Sequence, residues 1–382
     1  MENESKNQIL REVLKAIEDI FDFYISKRQY DFEEIEKLYE KIVYILSNNN
    51  LVKDFRSGLL KADWKDKNTN MEELIENLHN IKQFILFELQ EVCLVQRRDM
   101  LSGMGSYLFT NLNSIVKCLL NNKIPIIDMR KSHFENVKGM ENGWEAFFEQ
   151  PFGIGLDSID MNQDLPVCRI ESVQEMVFMD EFLYNKELQA FWHKVYMKYM
   201  RFVPEVEQYI NKEHQSYFEN IDINKVCGVL CRGTDYKNLK PYAHPVQPDV
   251  EEIIEKVKEV MEYYRCEYIF LATEDKGIYN RFCEEFEGKL LVTKTHMLQY
   301  EEAKHLAKVQ EEEKIDFFQN NLDYLSALYQ LSTLKYFIGG NTSGTLGVYF
   351  MSAGFEYSYV WNKGRYSLDD RETLNMIEKI ML

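Results

Sequence analysis

Positive charge is what this sequence has too little of: 45 Lys and Arg stand against 63 Asp and Glu, a formal net charge of −18. Without a basic surplus there is nothing to neutralise a phosphate backbone, so nonspecific nucleic-acid binding is excluded and an anionic membrane surface is disfavoured. A local basic pocket for one small anion survives that global count. Long apolar runs are missing too. No stretch approaches the roughly 20 apolar residues of a membrane span, and the opening MENESKNQ is polar, without the apolar segment of a secretory signal. Cysteine supplies no framework. Seven are scattered at 93, 118, 168, 227, 231, 266 and 283, an odd count without disulfide spacing. Cys227 and Cys231 share a face of an apolar run, and no second Cys/His pair lies near them at zinc spacing, so both read as core thiols. There is no internal repeat, no low-complexity segment and no Asp-x-Asp sequence. These absences lead us to expect a soluble, cytoplasmic chain in a reducing setting that does not span a membrane.

What is present belongs to a globular protein. At 45% hydrophobic and 14% aromatic the chain is too apolar for disorder, and 382 residues suggest two domains with ample core. Residues 1–90 read as helices: ILREVLKAIEDIFDFYI, FEEIEKLYEKIVYIL and MEELIENLHNIKQFILFELQEVCLV carry apolar residues at three- and four-residue intervals, the last running toward residue 95. They are expected to form a cap or an element for homo-oligomer formation. From residue 91 the texture changes. A glycine-rich turn, a helix over 107–120 and a strand over 124–128 make half of a Rossmann-like unit. Residues 150–215 are mixed, with an aromatic helix in ELQAFWHKVYMKYM. Strands then return at 226–231, 268–273, 290–293 and 335–339, with helices expected over 249–264, 276–286 and 322–332 between them. Such alternation implies a parallel sheet covered on both faces. The fold class expected is α/β: a helical region over 1–90, Rossmann-like domains over 91–220 and 221–365, and a C-terminal helix over 366–382.

Open parallel sheets bind ligands at the carboxyl ends of their strands. Three loops should meet there: Arg232-Gly233-Thr234-Asp235, Thr273-Glu274-Asp275, and Gly339-Gly340-Asn341-Thr342-Ser343-Gly344. Arg232 offers a planar fork of donors suited to phosphate. The glycine loop opens a helix in TLGVYFMSA, where backbone N–H groups and the helix dipole favour an anion. Glu274 or Asp275 can accept from a base edge or from ribose hydroxyls. The plainer reading of each loop alone is structural: an Arg–Asp pair, a Thr or Ser cap, a solvated turn.

Taken in order, these motifs resemble the α1,6-, α1,2- and O-fucosyltransferase superfamily, nearest its core-fucosylating branch, glycosyltransferase family 23. LCRGTDYKNLKPYAHP is similar to that branch's H-x-R-R-T-D run and the His-Pro ten residues after its Thr, with Arg232, Thr234, Asp235 and His244-Pro245 in place. IFLATED, LSTLKYFIGGNTSGTLGVYFMS, GMGSYLFTNLNSIVKCLLNNKIPIID and NGWEAFF resemble further segments, so the likeness covers about residues 92–355. It implies a GT-B-like fold with two Rossmann-like domains facing a cleft. It also implies GDP-fucose as donor, a saccharide or glycolipid acceptor, inversion at the anomeric carbon, and no required metal or other cofactor. Carried over by position, Arg232 binds the β-phosphate, His244 lies near the donor, Asp275 meets the guanine, and Thr342 and Ser343 hold the pyrophosphate; Thr234, Thr273, Glu274, Asn341 and Gly344 complete the donor set. Three positions depart from the pattern. Leu230 stands for its leading His, Gly233 for its second Arg, and Lys240 for its acidic base. That leaves Asp235 as candidate base, or equally as a structural partner of Arg232. Transfer of a different nucleotide-linked sugar, or binding without catalysis, are the competing readings.

Overall fold

Apolar side chains three and four residues apart bury one stripe of a helix, and α1 (Glu2–Lys27) is built that way: Leu10, Val13, Ile17 and Ile20 are all buried. They meet Leu78, Ile81 and Ile85 of α2 (Met71–Glu88), with Tyr39 and Ile42 in the same cluster. The computed structural model of the chain describes residues 2–27, 37, 39–42, 44–45, 71–89, 91–98, 102–159, 161, 164–169, 179–241, 244–299 and 304–366. The helix expected over 32–46 lies partly outside the described residues, and the one expected over 366–382 lies outside them but for Tyr366. The chain divides into two compact units, the first made of residues 1–94, 117–126 and 157–166, the second of 95–116, 127–156 and 167–382.

MEELIENLHNIKQFILFELQEVCLV is not one helix. The helix ends at Glu88, and β1 (Val92–Gln96) follows after a short polar break. Val92 to Val95 are buried without a gap, a pattern of a strand covered on both faces and not of a helix with one wet side. α3 (Met104–Leu120) leads to β2 (Ile124–Asp128), and β5 (Val167–Arg169) completes a three-stranded sheet in the order β2–β1–β5. A small hairpin of β3 (Glu135–Val137) and β4 (Met140–Asn142) lies between. The aromatic segment forms α5 (Lys186–Tyr199), after the short α4 (Met179–Tyr184) and before α6 (Pro204–Phe218).

The remaining strands form one parallel sheet in the order β10–β9–β6–β7–β8: β6 (Val226–Cys231), β7 (Tyr268–Thr273), β8 (Leu290–Val292), β9 (Tyr336–Gly340) and β10 (Tyr357–Trp361). Alternation along β6 decides its packing. Cys227, Val229 and Cys231 join a core with Ile253, Ile254 and Val257 of α8 (Val250–Tyr264) and Phe282 of α9 (Lys276–Glu285). On the other face, a side chain at Gly228 would run into Leu331 of α11 (Phe317–Ser332). α12 (Ser343–Met351) packs against α11 at Gly347 and Leu328. This is an α/β, doubly wound arrangement, as the strand–helix alternation implies. Both Cys227 and Cys231 are free and buried. Other elements differ from the expectation too. α11 begins at Phe317, capped by Asp316, which accepts from the Gln319 amide at 2.7 Å. β10 is an added edge strand, and a short α7 (Thr234–Leu239) follows β6 directly. Among the described residues no helix is long and apolar enough to cross a membrane.

Candidate functional site

The strand order picks out one point of the sheet where folds of this kind hold ligands. From β6 the chain moves outward to β7 and β8, then returns to the other side of β6 as β9 and continues to β10. The direction of winding therefore reverses between β6 and β9, which are hydrogen-bonded neighbours with Leu230 opposite Gly339. Open α/β sheets hold ligands at the carboxyl ends of the strands flanking such a reversal. The two loops there are the one that begins with Arg232 and the one that runs from Gly339 to Gly344.

Arg232 continues the side of β6 that carries Gly228 and Leu230, the side toward α11. Its Nη2 donates to Asp235 Oδ1 at 3.0 Å, and its Nη1 lies 3.6 Å from Glu274 Oε1. The guanidinium sits 5.5 Å from the centre of the Tyr236 ring, whose other neighbour, at 5.6 Å and edge-on, is the imidazole of His244. Burial works against the charge on Arg232, but Glu274 and Asp235 outweigh it and hold its pKa above the usual arginine value. Burial likewise pushes the Tyr236 hydroxyl up to about 12.

Carboxylates crowded beside one arginine would make a poor home for an anion if they were free. They are instead absorbed by backbone. Glu274 Oε1 accepts from the Gly233 amide at 3.1 Å and from Thr234 Oγ1 at 2.9 Å. Asp275 caps α9 by accepting from the Ile278 amide at 3.0 Å, and its second oxygen accepts from the Thr234 amide at 3.0 Å. Asp235 takes the Tyr236 amide at 3.0 Å on one oxygen and the Leu306 amide, which begins α10 (Leu306–Glu312), at 3.3 Å on the other. Thr273, buried, accepts from the Asp275 amide at 3.1 Å. This web holds Thr234 at φ +38°, a left-handed conformation that a β-branched residue adopts only under constraint. It also requires glycine at 233, because a methyl there would fall on the Asp275 carboxylate. Lys240 is exposed and closes α7 at φ +45°.

The second loop is organised by its threonines. Thr342 is the N-cap of α12, accepting from the Thr345 amide at 3.2 Å, and Thr345 in turn donates to the Gly340 carbonyl. The amides of Ser343 and Gly344 fall in the first turn of α12, where no carbonyl of that helix reaches them. Asn341 is buried, and its carbonyl accepts from Gln247 Nε2 at 3.1 Å.

The eleven residues singled out in the sequence therefore fall into two groups: Arg232, Thr234, Asp235, Thr273, Glu274 and Asp275 in one, with His244 attached through Tyr236, and Asn341, Thr342, Ser343 and Gly344 in the other. Residues that sequence reading missed join them. Tyr324 of α11 is close enough to Arg232 for each to act on the other's ionisation, while a methyl on Gly344 would lie 2.5 Å from its hydroxyl. Gly105 at the start of α3 abuts the same spot, its side-chain position being 3.1 Å from the Gly344 amide nitrogen. Gln247 was missed as well. Tyr324 had one faint signal: it stands one turn before Leu328, as a polar tip ending the apolar stripe of α11. Among the described residues, no group of three or more His, Cys, Asp or Glu is placed to hold a metal ion.

No protein-family model matches this sequence, and no curated protein matches it. Solved structures show some likeness. NodZ α-1,6-fucosyltransferase co-crystallised with GDP is 13% identical, with 69% of this chain and 93% of that one covered and a TM-score of 0.41. A mutant of FUT1 from Arabidopsis thaliana in complex with GDP is 10% identical over 74% of this chain and 72% of its own, with a TM-score of 0.42. POFUT1 in complex with GDP is 10% identical over 73% of this chain and 99% of its own, with a TM-score of 0.39. At these scores the likeness carries no argument, and the strand-end geometry stands by itself.

Proposed function

We propose that this chain is an inverting glycosyltransferase that takes GDP-fucose and passes the sugar to a hydroxyl of a saccharide or glycolipid acceptor. One observation carries the reading: Arg232 after β6 and the first-turn amides of α12 after β9 flank the point where the winding of the sheet reverses. A fork of guanidinium donors and a helix N-terminus at that point suit a diphosphate. The choice of guanosine and of fucose rests on the resemblance of LCRGTDYKNLKPYAHP and its companion motifs.

In this reading the acceptor hydroxyl attacks the anomeric carbon from the side opposite the diphosphate and gives up its proton to water, the carbon–oxygen bond to the β-phosphate breaks, and GDP departs. Charge grows on the β-phosphate as that bond lengthens. Arg232 and the amides of Ser343 and Gly344 strengthen their hold as it does so, and that difference is what accelerates the step. Asp235 has both oxygens engaged by Arg232 and by backbone amides, which suits a residue that aims the guanidinium. Asp275, with an amide on each oxygen, suits an organiser of the turn.

A second reading, a nucleotide-sugar-binding protein without transfer, is favoured by Lys240, exposed where the resembled motif has an acidic residue. Thermal-shift screening separates the possibilities. GDP at about 100 times its dissociation constant should add about 2.7 kcal/mol to stability, with UDP and ADP far less effective. A shift by UDP or ADP alone removes the guanosine assignment, and no shift by any of the three removes the donor site. Slow release of free fucose from GDP-fucose would exclude the reading without catalysis.

A further inference from the structure

Tyr324 lies near the middle of α11, among Leu322, Leu325 and Leu328, all buried, yet it is itself only partly buried. Its hydroxyl is at the seam of two glycine-bearing turns. A methyl on Gly344 would lie 2.5 Å from that oxygen, and one on Gly105 would lie 2.7 Å from it. The side-chain position at Gly105 is also 3.1 Å from the Gly344 nitrogen and 3.3 Å from the Ser343 carbonyl carbon, so the two turns are back to back. Glycine at both places is what leaves room for the phenol. Among the described residues no group hydrogen-bonds the hydroxyl. The oxygen is not sealed from solvent, so a ligand at this seam can reach it. Burial raises the pKa of the phenol while Arg232 pulls it down less, so at neutral pH it keeps its proton and can donate to an anion.

We infer that the Tyr324 hydroxyl is a direct hydrogen-bond donor to the second phosphate of a bound nucleoside diphosphate, sharing it with Arg232 and the Gly344 amide. The inference rests on reading this place as the donor site. It makes Tyr324, with Arg232, a group that favours a diphosphate over a monophosphate.

The test is calorimetric titration of GDP and GMP into the full chain, the Tyr324→Phe variant and the Arg232→Ala variant, with melting curves for each. Tyr324→Phe keeps the ring and its packing and removes only the donor. It should melt like the parent protein, bind GDP about tenfold more weakly, as for loss of one hydrogen bond to a charged group, and bind GMP unchanged. Gly105→Ala crowds both the hydroxyl and the Ser343–Gly344 backbone, so it should weaken GDP more than Tyr324→Phe does. If Tyr324→Phe binds GDP as the parent does while Arg232→Ala does not, the role of Tyr324 is overturned and the donor site stands. If Tyr324→Phe melts lower and loses both nucleotides in parallel, the residue is packing only and the inference falls. If the parent binds neither nucleotide, the donor site itself falls, and the inference with it.

Discussion

Arg232 carries two obligations that pull in different directions. It is tied to Asp235 and Glu274, and it is the fork on which the proposed reaction depends. Arg232→Lys preserves the charge but loses the planar fork. Turnover should fall by about 100-fold or more, as for loss of a transition-state donor worth roughly 3 kcal/mol. Arg232→Ala should be worse and should weaken GDP binding as well. Because the alanine variant leaves two carboxylates without their counter-charge, its melting temperature should also fall. Melting curves alone therefore do not separate a binding arginine from a structural one. GDP titration of the folded fraction does: normal affinity in both variants would reduce Arg232 to a partner of Asp235. The sequence made Arg232 legible because a charged residue directly follows six apolar or small ones, VCGVLC. It left Tyr324 and Gln247 illegible, since Tyr324 looks like one more aromatic in an aromatic-rich chain. Gln247 matters through a hydrogen bond to a carbonyl 94 positions away.

At the level of elements, the loop after β7 and the turn after β6 are one construction. Asp275 caps α9 and accepts from Thr234 in the same stroke. Asp275→Ala should cost about 1 kcal/mol for the lost cap, and more because the Thr234 amide, held at φ +38°, loses its acceptor. The urea midpoint should drop at an unchanged slope, which reports stability without a change in compactness. An unchanged midpoint with weakened GDP binding would return Asp275 to the guanine role that the resemblance implies. Strands were the most legible elements. VCGVLC, YIFLAT and YFIGG are short apolar runs bounded by polar loops, and each is a strand of the parallel sheet. The helix over 71–88 was extended too far because β1 follows after a break too short to interrupt the apolar pattern. β10 escaped notice because YSYVW is half polar and lies at an edge, where burial does not force a continuous apolar run.

For the whole molecule, the formal charge of −18 and the proposed anion site are reconciled by locality. Around Arg232, the backbone amides of Gly233, Thr234, Tyr236, Ile278 and Leu306 donate hydrogen bonds to the nearby carboxylates. The positive ends that remain belong to Arg232 and α12. That arrangement can stabilise a leaving diphosphate without a divalent cation, and the chain has no Asp-x-Asp sequence. Transfer should therefore persist in EDTA. Complete loss, restored by Mn²⁺, would overturn the proposal. The reversal of winding between β6 and β9 was not legible in the sequence, because alternation of strands and helices gives their number and direction but not their lateral order.

The packing of Asp275 against Gly233 also limits what position 233 of this chain can hold. The pattern it resembles has a second arginine where Gly233 stands. Here any side chain at 233 would collide with the Asp275 carboxylate, and that carboxylate cannot step aside without uncapping α9 and releasing Thr234. Arginine at 233 would therefore require position 275 to be changed with it.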